Sequence, residues 1–212
     1  MSLPRAFYDR PTLDVARDLL GQVLVHRRRG VVTSGRIIEV EAYIGEDDPA
    51  CHAAPGRTAR NAPMYGPPAV AYVYLNYGIH ALVNVVTEGV GRPAAVLIRA
   101  LEPVDGVTAM RRRRLRPAKG RRATRLDADQ AALCRGPGNL TVAMGITLDD
   151  NGADLTGDRL CIEAAPEPRA FDVAWGPRVG IRVGTERPWR AWMLDHPGVS
   201  RPLHVAHVER RG

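Results

Sequence analysis

Two carboxylates and a phenol occupy alternate positions in one short stretch of the sequence. Because side chains alternate across a β-strand, Glu39, Glu41 and Tyr43 share one face of a strand predicted there. Ile38 and Val40 share the opposite face. A carboxylate in this setting can activate water as a general base or stabilise a developing oxocarbenium ion. A solvent-facing polar stripe on an amphipathic strand would show the same alternation, so the pattern alone leaves both interpretations open.

Tyrosines are concentrated in the same region. Five of the six tyrosines fall between residues 36 and 84, although aromatic residues make up only 5% of the chain. Tyr72 and Tyr74 share one face of another predicted strand, which is more typical of packed core than of a ligand platform. Tyr77 precedes Gly78 at a predicted hairpin tip, where a large ring has little core to contact. Rings crowded beside carboxylates favour stacking on a nucleobase, with Tyr77 as a wedge in the base stack.

Further polar residues are candidates for the same chemistry. His52 lies in a long loop rich in proline and glycine, and a lone histidine there is more typical of a hydrogen-bonded structural residue than of a catalyst. Arg57 and Arg60, in the same loop, are candidate phosphate contacts. Arg99 is the single charge in an apolar predicted strand. It therefore requires an anionic partner, for which Glu41 is a candidate.

The positive charge of the chain is concentrated in one segment. The formal net charge is +7, and residues 111–125, the arginine run, hold eight arginines and Lys119 without an acidic residue. The rest of the chain is therefore slightly acidic. Such a run is typical of a loop or arm that contacts nucleic acid phosphates. A solvated face in an arginine-rich sequence is the alternative interpretation.

Length and composition limit the class of protein. A chain of 212 residues with 45% hydrophobic residues fits one ordinary domain, and we predict a single domain over residues 1–212. The sequence shows neither an 18-residue apolar stretch nor a signal-peptide pattern, so we expect a cytoplasmic protein without a membrane partner. Cys51, Cys134 and Cys161 lie far apart without a C-x-x-C spacing, which argues against a disulfide framework or a zinc site.

Periodicity and turn residues predict the elements that position these groups. Apolar spacing after Pro11, ended by Gly21, predicts an amphipathic helix over residues 11–20. Further helices are predicted over 103–114, 127–133 and 138–144, and strands over 22–26, 31–43, 70–76, 79–86, 94–101, 160–162, 179–183 and 203–208. Hairpin-joined strand pairs with helices between them favour an α+β domain over a parallel doubly wound one. The polar stretch 149–158 is a candidate domain linker.

Ordered motifs along nearly the whole chain resemble the alkyladenine (3-methylpurine) DNA glycosylase family. They are Arg-Pro-Thr with Arg-Asp-Leu-Leu-Gly in residues 10–21, Gly-Arg-Ile-Ile-Glu-Val-Glu-Ala-Tyr at 35–43, His52, Gly-Arg-Thr-Ala-Arg-Asn at 56–61, Tyr-Val-Tyr-Leu-Asn-Tyr-Gly at 72–78, Asn84, Leu-Ile-Arg-Ala-Leu-Glu-Pro at 97–103, Gly-Pro-Gly-Asn-Leu at 136–140 and Arg-Val-Gly-Ile at 178–181. Composition alone does not produce motifs in this order and at this spacing.

The resemblance implies both a fold and an activity. The fold would be a single α+β domain, with a curved antiparallel sheet, flanking helices and a protruding β-hairpin. The activity would be hydrolysis of the N-glycosidic bond of a flipped-out alkylated or deaminated purine, which leaves an abasic site in double-stranded DNA. The damaged bases would include 3-methyladenine, 7-methylguanine, hypoxanthine and ethenoadenine. Such an enzyme would act as a monomer and need no metal and no other cofactor.

The resemblance also implies a role for individual residues. By position, Glu41 resembles the family's general base, Arg99 its partner in holding the attacking water, and Val179 the residue whose backbone carbonyl completes that water site. The base-pocket residues would be Tyr43, His52, Tyr74 and Asn84, of which Asn84 would reject the 2-amino group of normal guanine. Tyr77 resembles the intercalating residue.

The sequence departs from the family pattern at three positions. Asn139 stands where relatives commonly carry lysine, so the candidate phosphate contact in that region is the nearby Arg135. Ala191 replaces a usual aromatic, which affects packing. Ala81 replaces another near the hairpin, which affects support of the wedge. None of the three falls in the expected water site.

The shortage of lysine bears on the reaction type. A glycosylase that also cuts the strand needs an amine to form a Schiff base, and Lys119 in the arginine run is the only lysine. We therefore predict a monofunctional enzyme. Two alternatives from other classes are a nucleosidase or glycosidase with Glu39 and Glu41 as its carboxylate pair, and a non-catalytic module that stacks nucleic acid bases on its tyrosines.

Overall fold

A computed structural model describes residues 1–115, 129–166, 170–201 and 203–210. Within these ranges nine strands form one sheet: β1 (Val23–Arg28), β2 (Val31–Ile44), β3 (Ala71–Asn76), β4 (His80–Val86), β5 (Ala94–Asp105), β6 (Leu160–Glu163), β7 (Val173–Gly176), β8 (Arg190–Met193) and β9 (His207–Glu209). The α-helices of the same ranges are α1 (Arg5–Tyr8), α2 (Thr12–Leu19), α3 (Val107–Leu115) and α4 (Pro137–Met144). Short 3₁₀ turns cover Ala62–Tyr65, Gln130–Ala132 and Leu148–Asp150.

Strand β2 is the centre of the sheet. The strand order is β3-β4-β5-β2-β8-β7-β9, and the pairings are antiparallel. β5 pairs along one edge of β2, whereas first β1 and then β8 pair along the other edge of this 14-residue strand. β1 also pairs with β6. The predicted single α+β domain with an antiparallel sheet is thus confirmed, and the topology places β2 beside β5 at the site described below.

Helices cover one face of the sheet. Val15 and Leu19 of α2 and Leu140 and Met144 of α4 lie in the main hydrophobic core with Ile98 of β5, and all five are fully buried. Each such side chain stabilises the fold by about 1.5–3 kcal/mol relative to exposure. The apolar periodicity that predicts α2 therefore also identifies the face by which that helix docks.

The ladder between β2 and β5 is irregular around Glu39. Val40 packs in the main core, but Ile38 packs in a second cluster with Trp192 and Met193 of β8. The prediction that Ile38 and Val40 share a face is therefore wrong. The physical reason is that β2 exchanges β1 for β8 as its neighbour at this point, and the local break in register turns Ile38 toward β8.

The local patterns predict several elements correctly. The helix α2, the hairpins β1–β2 and β3–β4, the strand β6 and the helix α4 lie where the sequence predicts them. The helix predicted over 103–114 begins later, at Val107, because β5 continues to Asp105 and pairs Pro103 with Gly35. Gly106, at φ 72°, then makes the turn into α3.

Other predictions are wrong, and they concern short or irregular segments. Residues 179–183 form turns and not a strand, only part of 203–208 belongs to β9, and the four-residue strands β7 and β8 were not predicted. Of the helix predicted over 127–133, the described residues contain a 3₁₀ turn, while residues 127 and 128 lie outside them. The stretch 149–158 is not a linker, because Asp150 is buried and Asp154 forms a β-bridge with Val70.

Candidate active site

Glu41 is held by three donors from three different parts of the chain. Its Oε2 lies 3.2 Å from Nη1 of Arg99 on β5 and accepts a 2.8 Å hydrogen bond from the Tyr43 hydroxyl. Its Oε1 accepts a 2.6 Å hydrogen bond from the backbone N–H of Val179. The side chain is fully buried, so the interpretation of a solvent-facing polar stripe is wrong. The predicted contact between Arg99 and Glu41 is confirmed, whereas the role expected for the Val179 carbonyl stays a prediction.

Glu39 is equally buried but differently bonded. Its Oε1 accepts hydrogen bonds from Nε of Arg99 at 2.8 Å, Nε of Arg190 at 2.9 Å and Oγ of Ser200 at 2.6 Å, and its Oε2 accepts one from the Ser200 N–H at 2.8 Å. Burial by itself would lower the pKa of Arg99, but the carboxylates of Glu41 and Glu39 raise it above its usual value. Arg99 is thus a permanent cation that spans both carboxylates, and Glu39 fixes its orientation.

A cavity of about 550 Å³ opens in front of this cluster. The four predicted base-pocket residues all line it: Tyr43, His52, Tyr74 and Asn84. Arg99 and Val179 also line it, which places the Glu41 carboxylate directly behind the cavity wall. Burial, and then the Glu41 charge, raise the pKa of Tyr43 well above its usual value, so this phenol stays protonated and donates to Glu41.

Tyr72 is a site residue whose role sequence reasoning missed. Its hydroxyl lies 2.9 Å from Nδ1 of His52, and its backbone carbonyl accepts a 3.0 Å hydrogen bond from Nδ2 of Asn84. One residue therefore orients two members of the pocket. Burial, followed by the Arg60 charge, lowers the pKa of His52, so the imidazole is neutral at neutral pH. The alternation of Tyr72 with Tyr74 is the only sequence signal. It does not distinguish a residue that lines the pocket from one that orients other pocket residues.

Two aromatic rings form one side of the pocket. The rings of His52 and Tyr74 are 4.4 Å apart between centroids at an angle of 65°, and those of Tyr72 and Tyr74 are 5.3 Å apart. Such edge and tilted contacts are the favourable arrangements of aromatic pairs. The prediction that Tyr72 and Tyr74 share a face is confirmed. Their side chains pack against each other and also line the cavity.

Tyr77 lies at the tip of the β3–β4 hairpin. Tyr77 is 88% exposed, which makes it the most exposed tyrosine of the hairpin, and it also lines the cavity. Tyr77 at φ 50° and Gly78 at φ 68° both have left-handed backbone conformations, as a tight turn between two strands requires. Arg29 and Gly30 adopt the same pair of conformations in the β1–β2 turn, at φ 51° and 73°.

The candidate phosphate contacts are distributed around the cavity. Arg57 lies over the ring of Tyr65, and Arg60 lies over the pocket wall Tyr74 at 5.4 Å from the ring centroid. Arg135 donates a 2.7 Å hydrogen bond to the carbonyl of Pro197. All three retain solvent exposure, so their role as phosphate contacts stays a prediction.

Most of the arginine run falls outside the described residues, which end at 115 on its N-terminal side. Within α3, Arg113 donates a 2.8 Å hydrogen bond to the carbonyl of Ala143, near the end of α4. Arg114 donates to Oδ1 of Asn139. These two members of the run therefore contact α4, although neither contact was predicted. Arg182, an exposed residue that lines the cavity, is a further cation that sequence reasoning missed.

The described parts of the chain contain neither a cluster of metal ligands nor a membrane-spanning helix. Among these residues no group of three or more His, Cys, Asp and Glu side chains could hold a metal ion. Over the same ranges no helix combines the length and apolar character needed to cross a membrane. The groups that the cavity and its wall offer for chemistry are carboxylates, arginines and aromatic side chains.

A paired, buried carboxylate behind an aromatic pocket is suited to general-base hydrolysis of a bond to a flat, stacked group, as in an N-glycosyl hydrolase. Residues 6–197 match the family described as methylpurine-DNA glycosylase. A protein of Chlorobaculum parvum is 43% identical over 97% of this chain and 93% of its own length, and one of Methanocella arvoryzae is 47% identical over 94% and 96%. A protein of Anaeromyxobacter dehalogenans is 47% identical over 99% of this chain and 90% of its own length. Each is named as a candidate 3-methyladenine DNA glycosylase.

The chain therefore belongs to the methylpurine-DNA glycosylase family, and it is a DNA glycosylase whose partner is DNA. This family assignment confirms the resemblance drawn from the motifs and excludes the non-catalytic binding module.

Proposed function

We propose that the protein is a monofunctional glycosylase that removes alkylated or deaminated purines from duplex DNA, with Glu41 as the general base. The observation that carries the proposal is the position of Glu41, fully buried behind the cavity and bonded to Arg99, Val179 and Tyr43. A carboxylate held by three donors has a fixed orientation, and its hydrogen bonds are satisfied without water around it. Such a group is suited to accept a proton from one bound water molecule.

The proposed reaction uses the aromatic pocket for binding and Glu41 for chemistry. A purine alkylated at N3 or N7 is cationic, so it stacks favourably on Tyr43 and Tyr74 and on the neutral His52. Glu41 takes a proton from water, and the water oxygen attacks C1′ of the sugar. When the C1′–N bond of an alkylated purine breaks, its electron pair leaves with the cationic base, which becomes neutral. A neutral purine such as hypoxanthine leaves as an anion and takes a proton from solvent water. Arg99 keeps its proton throughout and compensates the charge of Glu41.

Selectivity in this proposal depends on two residues at the ends of the pocket. Asn84 is held by the Tyr72 carbonyl at 3.0 Å, so its amide has a fixed orientation from which it would exclude the 2-amino group of guanine. Tyr77, exposed at the hairpin tip, would fill the space that the flipped nucleotide leaves in the duplex. Weakly paired lesions would be favoured because their extrusion costs least.

Two alternatives lose support, one from the geometry of the site and one from the sequence. A nucleosidase with Glu39 and Glu41 as its carboxylate pair needs a free Glu39, but Arg99, Arg190 and Ser200 occupy both oxygens of Glu39. Schiff-base chemistry needs an amine, and the only lysine of the sequence, Lys119, belongs to the arginine run. We further propose that the enzyme acts as a cytoplasmic monomer.

The test is base release from duplexes that carry hypoxanthine, 7-methylguanine, 3-methyladenine or ethenoadenine. Glu41→Gln is expected to abolish release while binding to duplex with an abasic analogue is retained, because the substitution removes the base but not the pocket. Glu163→Gln, which changes a partly exposed carboxylate on β6, serves as the matched control with parental activity. Residual activity of Glu41→Gln within about tenfold of the parent protein would contradict the role of Glu41.

A further inference from the structure

The segment that brings Val179 to Glu41 has no regular structure of its own. Residues 177–184, here called the rim loop, form neither helix nor strand. The loop supplies the N–H that donates to Glu41, and its residues 180–183 line the cavity. Because turns are locally weak, something outside the loop has to hold the Val179 amide in place.

Arg178, the residue before Val179, is anchored to the loop that follows β2. Its Nη1 and Nη2 bind Oδ2 and Oδ1 of Asp48 at 2.5 and 2.8 Å, and Nη1 also donates to the carbonyl of Ala42 at 3.0 Å. Both side chains of this pair are fully buried. Asp48 is itself fixed, because its oxygens accept hydrogen bonds from the N–H groups of Ile44 and Ala50. A bidentate pair with a planar guanidinium defines orientation as well as distance.

The same guanidinium supports the second donor to Glu41. It lies 4.7 Å from the ring centroid of Tyr43 and 5.3 Å from that of Trp189. Arg178 does not line the cavity, whereas Tyr43 does, so Arg178 packs against Tyr43 from behind the pocket wall. Arg178 therefore contacts Tyr43 and adjoins Val179, which together supply two of the three donors to Glu41.

Gly184 closes the rim loop over this ion pair. Its φ of 64° lies in the left-handed region, which an L side chain rarely adopts. A Cβ at this position would lie 3.1 Å from Nη2 of Arg178, 3.3 Å from Pro49 and 3.4 Å from Oδ1 of Asp48. The loop backbone thus approaches the pair as closely as a residue without a side chain allows.

We propose that Asp48 and Arg178 are a positioning pair for catalysis: the pair holds the Val179 amide and the Tyr43 ring in the places from which both donate to Glu41. The inference rests on the proposed role of Glu41 as the base. Burying two charges is costly, and a buried pair often adds less stability than apolar side chains of the same volume. Its effect is therefore expected in the rate of base release more than in DNA affinity.

The test compares Asp48→Asn and Arg178→Lys with Arg187→Lys. Arg187 is the matched control, because it also lies near Asp48, at 3.7 Å, and over Trp189, at 4.8 Å, but is not adjacent to Val179. Base release from a hypoxanthine duplex is measured in single turnover with enzyme in excess. While folded enzyme stays in saturating excess, partial loss of folded protein leaves the rate constant unchanged, whereas misplacement of Glu41 lowers it.

Asp48→Asn and Arg178→Lys are each expected to lower the rate constant at least about tenfold, with affinity for an abasic-analogue duplex within about threefold of the parent. Arg187→Lys is expected to keep the parental rate constant. Unchanged rate constants in both variants, or a loss confined to affinity, would overturn the proposal.

Gly184→Ala tests the positioning role if Asp48→Asn or Arg178→Lys fails to fold. It presses a methyl group onto the pair, and Gly152→Ala is its control, because Gly152 has φ 81° and a Cβ added there would meet no atom within 4 Å. Only Gly184→Ala is expected to lower the rate constant, and equal rate constants would refute the positioning role. An active Glu41→Gln enzyme would instead refute the proposed base, so the two failures are distinguishable.

Discussion

Glu39 and Glu41 lie two residues apart on β2, and their surroundings give them different tasks. Both are fully buried, and each contacts the guanidinium of Arg99. Glu39 also contacts Arg190 and so has two cationic partners, whereas Glu41 has donors that line the cavity. Buried charges persist only when they are paired and hydrogen-bonded. Glu39 is therefore a structural carboxylate that orients Arg99, and Glu41 is the one that faces the pocket.

The residue-scale prediction concerns Glu39→Gln. The substitution leaves the cations Arg99 and Arg190 buried against a neutral amide, so the free energy of unfolding is expected to fall by about 3–5 kcal/mol. Urea unfolding measures the change. Glu163→Gln breaks the partly exposed pair with Arg27 and should cost less than about 1 kcal/mol. Similar losses in the two variants would show that Glu39 is not the centre of a buried ionic cluster.

At the scale of elements, the β3–β4 hairpin carries residues of two proposed roles, pocket wall and wedge. Its strands carry Tyr74 and Asn84 into the cavity, and its tip exposes Tyr77. Direct pairing of Tyr72 with Asn84 in the hairpin register explains why the Tyr72 carbonyl holds the Asn84 amide. A single antiparallel ladder therefore fixes the cavity residues Tyr74 and Asn84 relative to Tyr77.

Tyr77→Ala tests the wedge at this scale. Alanine bears the same strain at φ 50° as tyrosine, so the substitution removes the ring and keeps the turn. Base release is expected to fall about tenfold or more on duplex DNA and much less on single strands, because a wedge matters only where a base stack must be opened. Rates on lesion duplexes and matched single strands provide the measurement. Equal losses on both would mean that Tyr77 has no intercalating role.

The turn Leu148–Asp150 is a second element with a testable electrostatic role. Asp150 is buried, which alone would raise its pKa, but the proximity of His26 Nε2 at 3.4 Å, a hydrogen bond from the Thr147 N–H and the charge of Arg159 lower the pKa to about 2. A carboxylate with a lowered folded-state pKa stabilises the protein above its unfolded pKa, and this stabilisation is lost as pH falls through the folded value.

Asp150→Asn is therefore expected to be less stable than the parent protein near neutral pH, in part because it lacks this ionic contribution of about 2 kcal/mol. That part of the difference should disappear as the pH falls from about 4 toward 2. Thermal or urea unfolding across this pH range measures it. Asp149→Asn, a largely exposed carboxylate that pairs with Arg28, is the control and should show a smaller pH-dependent difference. If the stability difference between Asp150→Asn and the parent protein did not change with pH, the ionic contribution of Asp150 would be contradicted.

At the scale of the whole molecule, the charge is asymmetric. The net charge of +7 depends on the arginine run, since the remainder of the chain is slightly acidic. Of the described members, Arg113 and Arg114 contact α4, the helix whose first residue, Pro137, lines the cavity. A segment with nine positive charges and no acidic residue is suited to attract DNA before the specific contacts form.

The prediction at this scale is a steep salt dependence of DNA binding that the arginine run produces. Replacing Arg121 and Arg122 by Gln is expected to flatten the slope of log K against log salt by up to about two units. Base release at saturating DNA should barely change. Arg5→Gln combined with Arg27→Gln removes the same charge from residues already paired with Asp154 and Glu163, so its slope should match the parent. An unchanged slope in the Arg121→Gln, Arg122→Gln variant would mean that these two arginines face solvent and do not contact DNA phosphates.

The sequence by itself determines the local structure and the identity of the groups. Period-two alternation in β2 predicts that Glu39, Glu41 and Tyr43 share a face, and the Tyr43–Glu41 hydrogen bond agrees with it. Glycines and apolar spacing predict the hairpins and α2 correctly. The motifs, through their resemblance to a family, name the residues of the pocket, and Tyr43, His52, Tyr74 and Asn84 do line one cavity.

Only the tertiary structure decides what those groups can do. Alternation cannot distinguish a strand face exposed to solvent from one that is buried by residues distant in sequence. Here Val179, Arg190 and Ser200 bury that face, and all three lie more than 130 residues away from Glu39 and Glu41 in sequence. The four-residue strand β8 owes its position to its pairing with β2, so its own sequence gives no clear signal. Burial and ion pairing depend on such long-range contacts, and they make Glu39 structural and place Glu41 at the pocket.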